Sequence, residues 1–249
     1  MKKMLAITVA AAFAAPAMAD TTLYGKLHNA VQITDSGADG SGTQTTVSSN
    51  SSRIGVKGSE KLTDDLKAIY QIEWGLNAAE NGKGLSDRNR YLGLKGSWGA
   101  VMTGRIDTPE KSVGRKVELM GDSLGDARSI TSKGVADERA NDVIAYMSPK
   151  MGGASFVVAS VQEDGGNQTQ GYSASAMYKA GGLTAGAGHT KVDGAGDTTR
   201  IVGKYDFGAG AVTALVQQDK DLSGVAGADR DVWGIGGMMK TASGAVKIQ

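Results

Sequence analysis

Apolar and polar side chains alternate with a period of two residues along most of the chain after residue 21. In the first alternating segment, Thr22 to Ile33, Leu23 and Val31 share one face, while Tyr24 and Lys26 lie on the other. This period indicates a β-strand with one apolar and one polar face. The pattern recurs at 52–59, 66–74, 87–97, 100–106, 140–147, 154–162, 171–179, 183–192, 198–207, 211–220, 230–240 and 245–249. The sequence therefore predicts an all-β protein of about twelve complete strands and the start of another.

The connections between these strands alternate between short turns and longer polar loops. Short turns lie at 62–65, 97–99, 148–153, 180–182, 208–210 and 241–244, and polar loops at 35–50, 77–86, 163–169, 193–197 and 221–228. Outer-membrane barrels have short periplasmic turns and longer external loops. The strands run about ten residues, which is near the length that a tilted strand needs to cross a bilayer. The alternation favours an antiparallel transmembrane β-barrel, with a soluble β-sandwich as the alternative.

The number of strands in a barrel decides whether it encloses water. In hydrocarbon an unpaired backbone group costs several kcal/mol, so antiparallel strands span a membrane only as a closed barrel. A barrel of about sixteen strands leaves an aqueous lumen, whereas eight strands are filled by side chains. Because Gln249 falls inside a further alternating segment, we expect a sixteen-stranded barrel to need strands beyond it and the barrel domain at residues 20–249 to be incomplete.

One connection, residues 108–138, is much longer than the others and carries many charges. It shows no strand alternation, and a loop of this length in a compact domain is usually functional or disordered. The alternating segments on either side bring Arg105 and Arg139 to its two ends. We expect the loop to fold inward and to set charged side chains against a basic wall. Its acidic residues include Glu110, Glu118, Asp122 and Asp126.

The first nineteen residues predict export from the cytoplasm. Lys2 and Lys3 form a basic start, residues 4–15 are an apolar run, and Ala17-Met18-Ala19 is a small-residue cleavage site before Asp20. The apolar run is shorter than the roughly 20 residues that a membrane-spanning helix needs. We therefore expect residues 1–19 to be a cleaved signal peptide and the mature chain to start at Asp20.

Composition excludes several classes of function. Without the two lysines of the signal peptide the chain has 25 basic and 26 acidic residues, a net charge of −1, which does not suggest nucleic-acid binding. The chain has no cysteine and only two histidines, His28 and His189, which lie on different predicted strands, so neither a metal site nor a cofactor is expected. No nucleophile motif is visible, and we expect no enzymatic activity. Residues 167–169 match a glycosylation sequon, which we discount in a bacterial export context.

Six sequence pieces resemble the general diffusion porins of Gram-negative outer membranes, the trimeric sixteen-stranded type. They are LYGK at 23–26, SRIGVKGSE at 52–60, LKAIYQ at 66–71, RYLGLKG at 90–96, GRIDTP at 104–109 and VIAYMSP at 143–149. Each piece alone is weak, but their order and spacing are specific. The resemblance covers the chain from the signal peptide to its end.

The resemblance implies a water-filled channel for passive diffusion of small hydrophilic solutes and ions, embedded as a homotrimer in outer-membrane lipid. It implies that residues 108–138 form the third external loop, which folds into the lumen and narrows it. The loop departs from the family at its tip, where residues 118–122 read ELMGD instead of a proline-aromatic-glycine sequence. The basic half of the constriction is then expected at Lys26, Arg53, Arg88, Arg105 and Arg139, and the acidic half at Glu118, Asp122 and Asp126.

Opposed rows of fixed charge orient dipolar solutes and rank permeating ions by charge, as charged rings do in other pores. The sequence leaves the sign of the selectivity open. It also leaves two other classes open, a secreted β-sandwich adhesin and an outer-membrane barrel enzyme. An adhesin would extract without detergent, and a barrel enzyme would need a nucleophile and a base at the barrel rim.

Overall fold

The structure, a computed structural model, describes residues 20–35, 37, 42–80, 84–162 and 171–249. The predicted signal peptide at 1–19 and the sequon at 167–169 lie outside the described residues. Nearly all of the described chain is antiparallel β-structure, which confirms the predicted fold class. Its first strands are β1 (Asp20–Lys26), β2 (Asn29–Asp35), β3 (Thr43–Ser49), β4 (Arg53–Lys61), β5 (Lys67–Gly75), β6 (Ser86–Gly96) and β7 (Gly99–Asp107).

Two short helices, α1 (Pro109–Gly114) and α2 (Arg128–Thr131), separate these strands from the rest. No helix in the described ranges is long and apolar enough to cross a membrane. The later strands are β8 (Arg139–Met147), β9 (Ala154–Val161), β10 (Gly171–Ala180), β11 (Leu183–Val192), β12 (Gly196–Asp206), β13 (Gly210–Lys220), β14 (Arg230–Thr241) and β15 (Gly244–Ile248), with a 3₁₀ turn at Leu222–Gly224.

Thirteen strands form one sheet in the order β1-β4-β5-β6-β7-β8-β9-β10-β11-β12-β13-β14-β15, and β2 and β3 pair separately. Consecutive strands of the sheet pair antiparallel, so β4 to β15 form a meander of hairpins. Six short connections, β4–β5 at 62–66, β6–β7 at 97–98, β8–β9 at 148–153, β10–β11 at 181–182, β12–β13 at 207–209 and β14–β15 at 242–243, lie at one end. We call this end the short-turn end, and the opposite end, which includes residues 108–138, the loop end.

The two faces of the sheet differ in chemistry. The face on which residues 108–138 pack is here called the inner face. The outer face exposes large apolar side chains in the alternation that the sequence predicts. Examples are Leu92 (60% exposed), Ile144 (50%), Ile201 (59%), Val216 (58%) and Trp233 (75%). A sheet whose outward side chains are apolar suits a hydrocarbon surrounding.

The first predicted strand and the first predicted loop were wrong in detail. β1 ends at Lys26, and residues 29–35 pair instead with residues 43–49 in a separate hairpin. The Ser52 hydroxyl stabilises the break, because it accepts a hydrogen bond from the His28 backbone N–H (2.9 Å). The segment 43–49 contains one large apolar residue, Val47, so alternation could not reveal it, although threonine favours strands.

Two irregularities in register place polar groups on the inner face. Between β5 and β6 the pairing shifts between Ile72 and Trp74, so Glu73 opposes both Arg88 and Asn89. A bulge of this kind re-aims side chains that strict alternation would send to opposite faces. A second shift, between Gly104 and Ile106 of β7, lies opposite β8 where residues 108–138 begin and end.

Residues 108–138 pack on the inner face through an apolar patch. Val113 and Val117 of the loop are 1% and 4% exposed, and they pack with Val202 of β12, next to Met177 and Leu215. Full burial of a valine side chain contributes about 1.5 kcal/mol or more. This patch therefore holds α1 against β10, β11 and β12.

Candidate functional site

The long loop starts from a well-capped helix. The Thr108 hydroxyl accepts a hydrogen bond from the Lys111 backbone N–H (3.3 Å), and Pro109 takes the first helical position, where its missing N–H costs nothing. The Thr108 N–H donates to the Glu138 carbonyl (3.0 Å). The two ends of the loop are thus tied together between β7 and β8.

Asp122 at the loop tip lies between two cations of the wall and two of the loop. Its carboxylate is 3.3 Å from Lys26 Nζ, 3.5 Å from Arg53 Nη1, 3.5 Å from Arg115 Nη2 and 3.3 Å from Arg128 Nη2. The tip therefore contacts Lys26 and Arg53 of the early strands directly.

These cations also set the charge state of Asp122. Burial by itself raises the pKa of the carboxyl, but the charge of Arg115 and the hydrogen bond and charge of Lys26 outweigh it and lower the pKa to about 2. Asp122 is therefore ionised at any physiological pH. The contribution of these contacts to stability is present above the ordinary pKa near 4 and is lost only as the pH falls through about 2.

Glu73 of β5 organises a second group of charges on the early strands. It is ion-paired with Nε of Arg88, lies 3.8 Å from Arg53 Nε, and accepts a hydrogen bond from the Tyr24 hydroxyl (2.9 Å). Only 8% of the Glu73 side chain is exposed, against 24% of Arg53 and of Arg88. The buried Glu73 carboxylate thus fixes the positions of the more exposed Arg53 and Arg88 guanidinium groups.

Asp107 forms a third group where the loop meets the sheet. Its Oδ1 lies 2.9 Å from Arg139 Nη2 and 3.0 Å from Lys111 Nζ. Asn89 donates to Asp107 Oδ2 (3.0 Å) and accepts from Arg139 Nε (2.8 Å). Arg139 is thus fixed at the base of the loop, with only 12% of its side chain exposed.

Of the remaining expected residues, Asp126 belongs to the cluster around Asp122, whereas Glu118 and Arg105 have other partners. Asp126 joins the tip cluster, 2.8 Å from Arg128 Nη2 and 3.6 Å from Arg115 Nη1. Glu118 instead accepts hydrogen bonds from the backbone N–H groups of Met120 (2.9 Å) and Ala127 (3.2 Å), and so shapes the loop. Arg105 donates to the Asn141 side chain (2.5 Å), away from Asp122.

A separate, fully buried network anchors the loop to the far strands. Arg200 of β12 is 1% exposed and forms a bidentate pair with Asp137 (2.8 and 2.7 Å). Its Nη1 also lies 3.0 Å from Glu110 Oε1. Glu110 Oε2 accepts from the Asp137 backbone N–H (3.1 Å), so one guanidinium joins both ends of the loop.

The network continues across β13 and β14. Gln217 accepts from Arg200 Nε (2.9 Å) and donates to Asp219 (2.8 Å) and to the Thr131 carbonyl (2.9 Å). Arg230 pairs with Asp219 (2.5 Å). A buried polar group without a hydrogen-bond partner is costly, and nearly all polar side chains of this network have such a partner.

Glu110 is the least satisfied member of the network. Three carboxylates, Glu110, Asp137 and Asp219, share two guanidinium groups, Arg200 and Arg230. Glu110 Oε1 receives charge from Arg200 but no aligned hydrogen bond. Burial, opposed by the charge of Arg200 and reinforced by that of Asp137, raises the pKa of Glu110 to about 7. Glu110 therefore takes up a proton in the folded protein more readily than in the unfolded chain.

This raised pKa predicts a pH dependence of stability. The contribution of Glu110 to the free energy of unfolding is complete below the ordinary pKa of about 4.5, and it is lost as the pH rises through about 7. We expect the free energy of unfolding in detergent to fall between pH 5 and pH 8, by an amount on the order of 1–3 kcal/mol. Glu110→Gln should flatten this slope and Glu118→Gln should leave it unchanged. An unchanged slope in Glu110→Gln would contradict the assignment.

The backbone of α1 lies close to the backbone of β11, and this contact offers a second test of how the loop is held to the sheet. A Cβ on Gly188 of β11 would lie 2.7 Å from the Glu110 Cα, which is closer than such atoms approach. We expect Gly188→Ala to push α1 off the wall and to destabilise the protein by about 1–3 kcal/mol. Gly203→Ala is the matched control, because nothing lies within 4 Å of its new Cβ. Denaturant unfolding of both variants is the measurement, and equal stabilities would argue against close packing of the helix.

Sequence reasoning missed several members of these clusters. Arg115 and Arg128 lie in the loop beside the acids that were singled out, and an inspection of its basic residues could have found them. Arg200 and Glu73 were visible only as charges on polar strand faces. Nothing in the spacing of residues 110, 137 and 200 indicates that they meet.

A family model described as Gram-negative porin matches residues 6–249. The chain belongs to this family of outer-membrane channels. Two similar relatives are the proteins called major outer membrane protein P.IB of Neisseria gonorrhoeae, 30% identical over 90% of this chain and 73% of the relative, and of Neisseria meningitidis serogroup A, 32% identical over 89% and 72%.

Solved porin structures share the fold. An anion-selective porin from Comamonas acidovorans superposes with a TM-score of 0.76 at 24% identity, over 92% of this chain and 77% of that one. OmpF of Salmonella typhi, in complex with daunomycin, gives 0.71 at 16% identity, over 89% and 75%.

This porin is located in the outer membrane and forms a water-filled channel for passive diffusion of small hydrophilic solutes and ions. The family assignment excludes the adhesin and the barrel enzyme. The inner face of the sheet is therefore the wall of the lumen, and residues 108–138 pack on this face.

Proposed function

We propose that this porin prefers anions and that the clusters around Asp122, Glu73 and Asp107 form its constriction. The supporting observation is the exposure of the charged groups. The side chains of Lys26, Arg53, Arg88, Arg115 and Arg128 keep 24–39% of their surface exposed, whereas those of Asp122, Asp126 and Glu73 keep 6–10%. The acids lie beneath the cations, so a solute meets the cations first.

The balance of charge supports the same sign. The three clusters contain seven basic residues and four acids: Lys26, Arg53, Arg88, Lys111, Arg115, Arg128 and Arg139 against Glu73, Asp107, Asp122 and Asp126. A narrow passage with low-dielectric walls focuses such an excess of charge and raises the local concentration of counter-ions. Both the pore diameter and the charged lining then set the selectivity.

The test is the reversal potential of single channels in a planar bilayer under a potassium chloride gradient. We expect the wild-type value to have the sign of chloride preference. Arg53→Glu and Arg88→Glu should each shift it toward potassium, because each reverses a partly exposed charge held by Glu73. Lys191→Glu, at an exposed position on β11, is the matched control and should not shift it. Unchanged potentials in both arginine variants would overturn the proposal.

The surroundings of the channel follow from its outer face. We infer that the exposed apolar side chains of the strands contact outer-membrane lipid. We also infer a homotrimer, since a structural neighbour from Vibrio cholerae, OmpT, is described in a trimer form. The signal peptide at residues 1–19 remains a proposal, which the N-terminal residue of the purified protein tests.

A further inference from the structure

The lumen wall at the short-turn end carries many lysines. The register places Lys61 of β4 directly opposite Lys67 of β5, and Lys67 directly opposite Lys95 of β6. Like charges directly opposite each other on neighbouring strands are unfavourable. Lys61 is offset by Asp64, 2.6 Å away in the turn, but this pair leaves the charges of Lys67 and Lys95 in place.

These lysines share the face that lines the lumen. Strict alternation puts Lys67 on the same face of β5 as Gln71 and Glu73, and Gln71 accepts a hydrogen bond from the inward Tyr91 (3.2 Å). Lys57 is on this face too, with its Nζ 5.2 Å from the centre of the Tyr24 ring. All three lysines at 57, 67 and 95 are exposed, so their charges reach the water of the lumen.

The opposite wall repeats the arrangement. Lys179 of β10 and Lys204 of β12 both lie opposite Thr184 of β11. Lys204 shares the face of Arg200, four residues earlier on the same strand, which points at the loop. Both walls of the short-turn end therefore present lysines to the lumen.

The acids on this part of the wall are few. Among the described residues, alternation puts Asp20 of β1 and Asp206 of β12 on the same face at this end, and the β4–β5 turn adds Asp64 and Asp65. Asp206 already accepts a hydrogen bond from the Gly208 backbone N–H (2.9 Å). A cavity of about 670 Å³ lies against the early wall, with Lys57, Lys95 and Lys150 among its lining residues. The short-turn end is thus a space with an excess of positive charge and room for a solute.

We propose that this basic vestibule is a second anion station, in series with the constriction, and that it binds small multivalent oxyanions bearing phosphate or carboxylate groups. Mobile ammonium groups around a water-filled space attract an ion with several negative charges more strongly than chloride, because Coulomb energy scales with the product of the charges. The station does not depend on the sign of selectivity at the constriction.

The experiment measures block of chloride current by pyrophosphate added to one side of a single channel. The chain has no cysteine, so Thr63→Cys in a short turn, labelled with a biotin maleimide, reports which side faces added streptavidin. We expect half-block at a lower pyrophosphate concentration from the short-turn side. The double variant Lys67→Gln with Lys95→Gln should raise that concentration about fivefold.

Two further variants separate charge from folding. Lys67→Arg with Lys95→Arg keeps the charges and should keep the block. Lys191→Gln with Lys220→Gln removes two exposed lysines from the loop end and should also keep it. Equal block from both sides, or block that disappears in Arg53→Glu but persists in the Lys67 and Lys95 glutamine variant, would overturn the proposal. The reversal potential is a separate measurement. If the block experiment contradicts the vestibule, the anion preference of the constriction is still tested by the reversal potentials of Arg53→Glu and Arg88→Glu.

Discussion

Arg200→Met is expected to release the long loop from the lumen wall and to cost about 3–5 kcal/mol of stability, because it leaves buried carboxylates without their cation. Asp137 loses both of its guanidinium contacts and Glu110 loses its ion pair. We expect a lower midpoint in guanidinium unfolding. We also expect noisier single-channel currents, as the loop moves in the lumen.

Lys204→Met is the matched control for this prediction. Lys204 lies on the same face of the same strand as Arg200 but is partly exposed and outside the buried network. Arg200→Lys should recover only part of the stability, since an ammonium group cannot form the bidentate pair with Asp137. If Arg200→Met unfolds within about 0.5 kcal/mol of the wild type, which is the usual range for surface substitutions, the network does not anchor the loop.

Asp122→Asn is expected to raise the preference for anions and to loosen the loop tip. The substitution removes the negative charge that lies among Lys26, Arg53, Arg115 and Arg128, so these cations become free to attract permeating anions. Asparagine tolerates the left-handed backbone that Asp122 adopts, with φ of 61°. The ratio of chloride to potassium permeability should rise about two- to fivefold, the effect of up to about 1 kcal/mol.

Reversal potentials under a salt gradient measure this change. Asp64→Asn is the control, because Asp64 forms an exposed pair with Lys61 in a turn. Asp122→Asn and Arg53→Glu should shift the potential in opposite directions. A shift of Asp122→Asn toward potassium would contradict the placement of this carboxylate among the cations of the constriction.

The long loop thus has two functions that use different residues. Glu110 and Asp137, near its ends, are buried and hold it to β12. Asp122 and Asp126, at its tip, hold cations that remain partly exposed to the lumen. Glu110 and Asp137 are buried, whereas the cations held by Asp122 and Asp126 are partly exposed to water. A variant at one of these two places can therefore change stability without changing selectivity, or the reverse.

The sequence alone determined the strands, the fold class and the position of the long loop. A strand with one face in lipid and one in water has to alternate with a period of two, and this period is readable without partners. The period of two did not reveal the strand at residues 43–49, where the side chains are mostly polar. It also does not give the faces of Arg88 and Asn89, where a bulge interrupts the alternation. The basic residues expected at the constriction came from the family resemblance, and their place in the constriction stays a prediction.

Only the tertiary structure decided which charges meet. Glu110, Asp137 and Arg200 are up to 90 residues apart along the chain, and they come together because α1 packs on β10 to β12. The excess of lysines at the short-turn end likewise depends on strand register, which brings Lys67 opposite both Lys61 and Lys95. The period of a strand is a local property of the chain, whereas contacts between side chains across a lumen depend on how the whole sheet pairs and curves.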